Sequence, residues 1–524
     1  MLFRGSPNAI VCVGDPAPNH PKNRPSLHHI TDISRTLASM RPRVLAKNRK
    51  MKYDRRNFLK NATVLSGSMA MLPALAETPA SAELLASSRS ARGPSQQFNM
   101  SGYAAPKLDT VRIGFIGLGM RGPAAVNRMT RIEGVEIGAL CDKDPRRVTK
   151  AQEILASGGL APAKEYSGDD GWKAMVADEA LDLIYICTPW NLHTPMAVYA
   201  MQHGKHVACE VPIAVSIDEC WELVETSEKT RRHCMMLENC CYDFFEMLTL
   251  NMARNGLFGD LIHAEGAYIH DLVELNFSKE GYADMWRLKA NASRNGSLYP
   301  THGLGPIAQC LNINRGDKMD YLVSMSSNDF MMASTAAARA ADDPFYQPFV
   351  GKQYRGNMNT TLIRTARGKT MMVQHDVTSP RPYSRIHLIS GTKGTASKYP
   401  APERIAFGHE WLTGEALESL YDQYTPPLIK HVGEVAKQVG GHGGMDFVMD
   451  WRLIDCLRNG LPLDQDVYDG AAWSSVFPLS EQSVNQRSQS LDIPDFTRGA
   501  WQQNQPVNLT LEGGGTTGVR QRQA

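Results

Sequence analysis

Tyr299 and His302 stand three residues apart in the run Tyr-Pro-Thr-His-Gly-Leu-Gly-Pro that ends at Pro306. Imidazole titrates near neutral pH, so His302 is the side chain here best suited to take and return a proton. Tyr299 adds a hydroxyl that can bond a substrate or share the same site. Spacing alone leaves another reading open, a buried histidine satisfied in the core. A second such run lies far upstream, Gly117-Leu118-Gly119-Met120-Arg121-Gly122. It follows the apolar residues 111–116 and precedes a helical pattern from Ala124, the context in which three glycines cradle a dinucleotide. Gly117 permits the tight turn, Gly119 lets the backbone approach a pyrophosphate, and Gly122 lets helix pack on strand. The helix N-terminus then offers N–H groups and a positive dipole end to phosphate. A glycine-rich turn of some other α/β protein is the alternative at this point.

The elements around these runs supply their frame. Residues 135–140 read as a second strand ending in Cys141-Asp142, where a carboxylate would bind ribose hydroxyls and favour NAD. Arg146 and Arg147, close behind, would instead suit a 2′-phosphate. Residues 181–187 read as a third strand, followed by Trp190-Asn191-Leu192-His193 and a helix over 195–203. A further strand leads into Glu210-Val211-Pro212. Strands alternating with helices predict an α/β, doubly wound parallel sheet of Rossmann type. Ligands of such sheets sit at the carboxyl ends of the strands, where Asp142, the segment 190–193 and Glu210 all fall. After residue 236 the pattern changes. Strand-like runs at 262–269, 320–326, 359–364, 369–376 and 384–390, with helices over 243–255, 305–311 and 446–459, predict an α+β domain. Its sheet should be large, open and mostly antiparallel. The expected division is a dinucleotide domain over 108–235, an α+β domain for substrate and oligomerisation over 236–500, and a polar, flexible tail over 501–524.

Composition narrows the class. The chain has 524 residues, 42% of them hydrophobic, with a formal charge of +2. A packed core is expected, and neither nucleic acid nor an anionic membrane is called for as partner. No apolar run has the length of a membrane-spanning helix. Ten cysteines are scattered without paired spacing, which signals buried thiols and no metal site. Residues 51–60, Met-Lys-Tyr-Asp-Arg-Arg-Asn-Phe-Leu-Lys, resemble a twin-arginine export signal. An apolar stretch over 62–75 and small-residue cleavage candidates at 74–76 and 80–82 follow, so 51–82 is expected to be a signal peptide and the protein periplasmic. No cysteine adjoins those candidates, so no stable membrane anchor is expected. Residues 1–50 are expected to be a non-native or disordered extension, and 83–107 a linker.

Over residues 110–500 the pieces GFIGLGMRG, the Cys-Asp after the second strand, CTPWNLHTPMA and GKHVACEVP resemble the glucose–fructose oxidoreductase and inositol dehydrogenase superfamily. That superfamily usually carries Glu-Lys-Pro, with the lysine moving protons, whereas this chain has Glu210-Val211-Pro212. Valine can neither donate nor accept a proton. The combination of that motif with YPTHGLGP, LENCCYDFFE, GLFGDLIHAEGAYIHD, MWRLK, HDVTSPRPYSR and GGHGGMDFVM resembles glycoside hydrolase family 109.

This resemblance implies a glycosidase acting on terminal N-acetylgalactosamine, with NAD as a recycled cofactor. The implied sequence is oxidation at C3, elimination of the glycosidic oxygen, water addition and re-reduction, with no net redox change. It implies catalytic roles for His302, Tyr299 and Tyr383. It implies NAD contacts from Gly117, Gly119, Met120, Arg121, Gly122, Asp142, Trp190, Asn191, Leu192, His193, Glu210, Val211, Asn239, Arg287 and Tyr299. Sugar contacts are implied for Tyr268, Tyr299, Pro300, Thr301, His302 and Tyr383, and Tyr242 is a weaker candidate for the shell around the catalytic residues. The superfamily's sheet further implies a homo-oligomer. Two alternatives stay open: an exported NAD(P)-dependent sugar oxidoreductase, against which Val211 speaks, and a non-catalytic NAD-and-sugar-binding protein, against which Tyr299 and His302 speak.

Overall fold

A computed structural model describes residues 95–520. The expected leader over 51–82, the stretch 1–50 and residues 83–94 of the expected linker lie outside them. The first layer is a six-stranded sheet in the order β3-β2-β1-β4-β5-β6. Its strands are β1 (Val111–Ile116), β2 (Val135–Asp142), β3 (Lys164–Ser167), β4 (Leu183–Ile186), β5 (His206–Cys209) and β6 (Cys234–Met236). Every pairing in it is parallel. Helices cover both faces, so β1, β4 and β5 are apolar and buried almost throughout rather than alternating. Sequence periodicity missed β3, whose Lys-Glu-Tyr-Ser is polar because it is the sheet's exposed edge.

The second sheet has eight strands in the order β13-β12-β11-β7-β10-β9-β8-β14. They are β7 (Leu261–Ile269), β8 (Met319–Ser326), β9 (Asn359–Thr365), β10 (Thr370–Asp376), β11 (His387–Gly391), β12 (Thr395–Lys398), β13 (Arg404–Ala406) and β14 (Leu491–Asp492). Only β7 and β10 run parallel among these pairs; the remaining pairings are antiparallel. One face is open and carries Ile262, Met325 and Leu362, each at least half exposed. Three helices position the candidate site residues: α1 (Gly122–Met129), α2 (Thr301–Cys310) and α3 (Met445–Asn459). A fourth, α4 (Val467–Asn485), is buried along most of its length and packs against β6, β8 and the helix Ile217–Thr230. No amphipathic pattern in the sequence marks α4, because a helix buried on all sides has no polar stripe.

Two terminal expectations need correction. Residues 95–107 are not a free linker: Met100 and Ala105 are buried, and Gln96 Nε2 donates to Tyr468 Oη at 2.9 Å. Of the expected loose tail 501–524, the described residues 501–520 are likewise tied down. Trp501 is buried, Trp451 Nε1 donates to Thr517 O at 3.0 Å, and Val519 bridges to Ile132. Polar composition marked both segments as loops, and loops of this kind are fixed by backbone hydrogen bonds that composition does not reveal.

Candidate active site

The glycine run forms the turn between β1 and α1. Gly117 has φ +90°, and a Cβ on it would lie 2.7 Å from Cys187 O. A Cβ on Gly122 would lie 2.1 Å from Gly117 O. Both positions therefore exclude any side chain. Helix α1 has no side-chain cap at its N-terminus, so its first N–H groups are left for a phosphate. Asp142, at the end of β2, accepts from Leu118 N at 2.7 Å and from Asp144 N at 2.9 Å. Its carboxylate is thus locked against the glycine turn. Arg147 Nη1 lies 3.7 Å from Asp142 Oδ1, whereas Arg146 turns outward onto Asp144. A cradle that a Cβ would fill, an uncapped helix and a fixed carboxylate together fit a dinucleotide.

The other residues expected at the cofactor divide into three groups. Met120 is nearly half exposed on the turn, and Asn191 is exposed on the 3-10 turn Trp190–Leu192, where Leu192 is half-buried. Val211 is buried. His193 is spent on structure: its Nδ1 lies 2.7 Å from Pro212 O and its Nε2 2.7 Å from Thr188 O. Burial pushes its pKa down, against the two carbonyls, which favour the protonated ring.

Arg121 and Asn239 meet at a residue that sequence reasoning missed. Arg121 Nε donates to Glu210 Oε1 at 3.0 Å, and its Nη2 lies 3.6 Å from Asp446 Oδ2. Asn239 Nδ2 donates to Asp446 Oδ1 at 2.5 Å. Arg128 of α1 reaches Asp446 at 3.4 Å and Asp450 at 2.7 Å, and Tyr185 Oη donates to Asp450 at 3.0 Å. Burial would raise the Asp446 carboxyl, yet the adjoining Arg121 and Arg128 hold it well below the usual range. This buried node ties the cradle helix to α3. His442, half-exposed in the Gly-Gly-His-Gly-Gly loop before α3, also bonds Asp446, at 2.9 Å. Four glycines of that loop have positive φ, as does His442. The signal in the sequence was a lone histidine between glycine pairs; its carboxylate partner was not legible.

Helix α2 carries the proton-transfer candidate. It crosses β7 at backbone contact, with a Cβ on Gly266 only 2.1 Å from Gly303 O. That approach sets the His302 ring 5.2 Å from Tyr268 and 4.8 Å from Tyr299. Gly305, one turn on, makes room for Glu238, since a Cβ there would lie 2.8 Å from Glu238 Cγ. Glu238 is fully buried, and its Oε1 lies 2.7 Å from His302 Nδ1. Burial would raise this carboxyl, but the His302 imidazole beside it and its hydrogen bonds hold it below its ordinary value. Glu238 went unrecognised although it follows a strand directly, where ligands of such sheets gather.

The tyrosines form the walls. Tyr299 lies 4.8 Å from Tyr268 and 5.8 Å from Trp190. Burial pushes the Tyr299 hydroxyl pKa well up and that of Tyr268 up to about 12. Tyr268 Oη lies 3.0 Å from His270 Nδ1, and burial lowers the His270 pKa to about 4. Tyr383 is on the rim, 38% exposed and 6.3 Å from Tyr268. Pro300 and Thr301 are buried at the start of α2. Arg287, expected at the cofactor, joins the aromatic cluster. It donates to Tyr282 Oη at 2.8 Å and stacks 4.9 Å from Tyr299 and 5.2 Å from Trp190. Tyr242 is outside the site, its hydroxyl turned to Asp464 at 3.4 Å. Glu238, Cys240 and His302 offer ligand atoms within 4.8 Å of one another. Arg385 Nη1 lies 3.4 Å from Cys240 Sγ, and that fixed positive charge disfavours a cation there.

A glycine cradle at the carboxyl end of a parallel, doubly wound sheet, beside a cluster of tyrosines, defines a dinucleotide-binding fold of Rossmann type. Residues 111–238 match the oxidoreductase family, NAD-binding Rossmann fold. Residues 242–503 match the C-terminal domain of glycosyl hydrolase 109. The chain belongs to glycoside hydrolase family 109. An alpha-N-acetylgalactosaminidase of Bacteroides fragilis is 52% identical over 412 residues, covering 77% of this chain and 96% of the relative. A glycosyl hydrolase family 109 protein of Shewanella amazonensis is 46% identical over 464 residues, covering 87% and 99%. Levoglucosan dehydrogenase in complex with NADH and L-sorbose superposes with TM-score 0.57 at 18% identity, over 74% of this chain and all of that one. Aldose-aldose oxidoreductase from Caulobacter crescentus gives 0.54 at 16% identity, over 73% and 100%. These two likenesses concern the fold.

Proposed function

We propose that the protein is a glycosidase that releases terminal N-acetylgalactosamine, or a closely related sugar, without net redox change, using NAD as a retained cofactor. The observation that carries this reading is the Glu238–His302 pair, set among Tyr268 and Tyr299 beside a dinucleotide cradle whose neighbouring Val211 has no proton to give. The name of the Bacteroides fragilis relative supports the sugar. Gly117, Gly119, Gly122 and Asp142 would hold the dinucleotide, with Trp190 beside it. Bound NAD would supply reversible oxidation at C3 of the sugar, which acidifies the proton on C2.

The chain's own residues then handle protons. His302 donates Nδ1–H to Glu238, which leaves Nε2 to accept the C2 proton. The buried carboxylate stabilises the imidazolium that forms. Tyr299 and Tyr268, with raised pKa values, remain protonated and donate hydrogen bonds to sugar oxygens rather than acting as bases. His442, oriented by Asp446 on a loop open to solvent, delivers a proton to the departing glycosidic oxygen and takes one from water. No paired carboxylates are required.

The test is incubation of the purified protein with a chromogenic α-N-acetylgalactosaminide and no added NAD, following aglycone release and NADH absorbance together. Release without lasting NADH is expected. NADH accumulating on free sugars, with no release, would favour the sugar oxidoreductase instead. We further propose export to the periplasm by the twin-arginine route, on the residues of 51–60 alone; a reporter fused to 51–82 that stays in the cytoplasm would overturn it. A homo-oligomer through the open sheet face is also proposed, on the exposed Ile262, Met325 and Leu362, with light scattering as its check.

A further inference from the structure

We propose that an aromatic row running outward from Tyr383 through Tyr399 to Trp411 is a leaving-side subsite, taking the next sugar ring of an oligosaccharide. This rests on the glycosidase reading above and assigns the residues that take the part of the substrate beyond the scissile bond.

The row starts at the tyrosines around His302. Tyr268 is buried beside His302, and Tyr383 lies 6.3 Å outward of it. The Tyr399 ring follows at 5.9 Å from Tyr383, tilted by 75°. Next to it, Pro400 O accepts from Arg404 Nη2 at 3.4 Å, and the Arg404 guanidinium lies 5.2 Å over the Trp411 ring. Tyr268 is 8% exposed, whereas Tyr383 at 38% and Trp411 at 43% are open to solvent and Tyr399 between them is half-buried. A substrate whose terminal ring lies at His302 therefore extends its leaving part past Tyr383.

Tyr399 is held in place at a cost. Its φ is +73°, a left-handed conformation that a residue with a Cβ rarely adopts. The residues beneath it over-determine that position. Lys398 Nζ and the Arg385 guanidinium each lie 5.6 Å from the Tyr399 ring. Both are anchored in the carboxylates of Asp243 and Glu246. The same Arg385 lies 6.0 Å from the Tyr383 ring, so one buried cation positions both tyrosines.

The chemistry of this row suits a sugar ring. A pyranose presents weakly positive C–H groups on one face, which rest on the electron-rich face of an aromatic ring. Its hydroxyl rim finds a guanidinium donor in Arg404. Scattered exposed aromatics are ordinary; here Tyr383 and Tyr399 meet edge to face beside the His302 site, and Arg404 joins the backbone next to Tyr399 to the Trp411 ring.

The experiment compares kcat/KM of the purified full chain on an N-acetylgalactosamine-terminated trisaccharide and on N-acetylgalactosaminyl fluoride, whose leaving group is one atom. In Tyr399→Ala and in Trp411→Ala, the trisaccharide-to-fluoride ratio should fall about tenfold, mainly through KM. An unchanged ratio in a folded variant overturns the subsite. Trp411→Ala, at an exposed position, keeps the test readable should Tyr399→Ala fail to fold. A wild-type protein that releases sugar from neither compound would sink the glycosidase reading itself; one that turns over both, with the ratio unmoved by the variants, sinks the subsite alone.

Discussion

Nδ1 of His302 lies 2.7 Å from Oε1 of Glu238, a pair separated by 64 residues of chain. The carboxylate selects the tautomer of the ring and so decides which nitrogen is the base. Replacing Glu238 by Gln keeps the shape but offers the ring an amide that can bond either tautomer. We expect kcat to fall by about 10²-fold or more, with substrate KM little changed. Steady-state kinetics of Glu238→Gln with an unchanged circular dichroism spectrum checks this. Wild-type kcat would show that the pair is structural only.

The cradle makes a sharper prediction. Gly122→Ala introduces a Cβ into a space where Gly117 O is 2.1 Å away. The turn must open, so protein purified from the variant should retain little dinucleotide. Release of NAD on acid denaturation, measured enzymatically, reads this directly. A stoichiometric content equal to wild type would mean that the dinucleotide does not sit at this turn.

Asp446 joins Arg121, Arg128, Asn239 and His442. Asp446→Ala leaves two guanidinium groups without their shared counter-charge in a buried place. The expected loss is about 3–5 kcal/mol of stability, measured by urea denaturation. A loss below about 1 kcal/mol would show that water or a rearranged carboxylate replaces it readily.

Asp450 supplies a pH dependence. Burial raises its carboxyl to about 6, against an ordinary 3.8, despite the opposing Arg128. The folded state therefore holds a proton that the unfolded state has released. Stability from this group is complete below about pH 4 and is lost as pH rises to about 6, by at most about 3 kcal/mol. Glu238 and Asp446, with depressed values, act in the opposite sense, losing their contribution as pH falls below the ordinary carboxylate range. Asp466, also raised to about 6, acts in the same sense over this window, whereas the buried His270 and His387, lowered to about 4, gain stability as pH rises through it. The difference in urea midpoint between wild type and Asp450→Asn should therefore shrink as pH rises from about 4 to 6, since only the wild type loses the Asp450 contribution; parallel curves would contradict the assignment.

Leaving-group dependence probes His442. If its imidazole protonates the departing oxygen, His442→Ala should slow a poor leaving group, such as an alkyl alcohol, far more than nitrophenol, by about 10²-fold in relative kcat. Equal slowing across a leaving-group series would reduce His442 to a prop for Asp446.

The sequence by itself determined the parallel sheet, because strands buried on both faces are written as unbroken apolar runs separated by helical periods. It determined the cradle, because Gly117 and Gly122 sit where sterics admit nothing else. It also singled out His302 and its neighbouring Tyr299, which lie on one turn of chain. It did not reveal β3 or α4, since an exposed edge strand and a helix buried all round carry no amphipathic signal. It did not reveal which carboxylate serves His302, nor that Arg121, Asn239 and His442 converge on Asp446, nor that Arg287 faces the tyrosines. Those relationships join residues from different strands and helices, and distance across the fold is not encoded in local pattern. Only the packing of α2 on β7 and of α3 on α1 brings them within hydrogen-bond reach, and burial then sets their charge states.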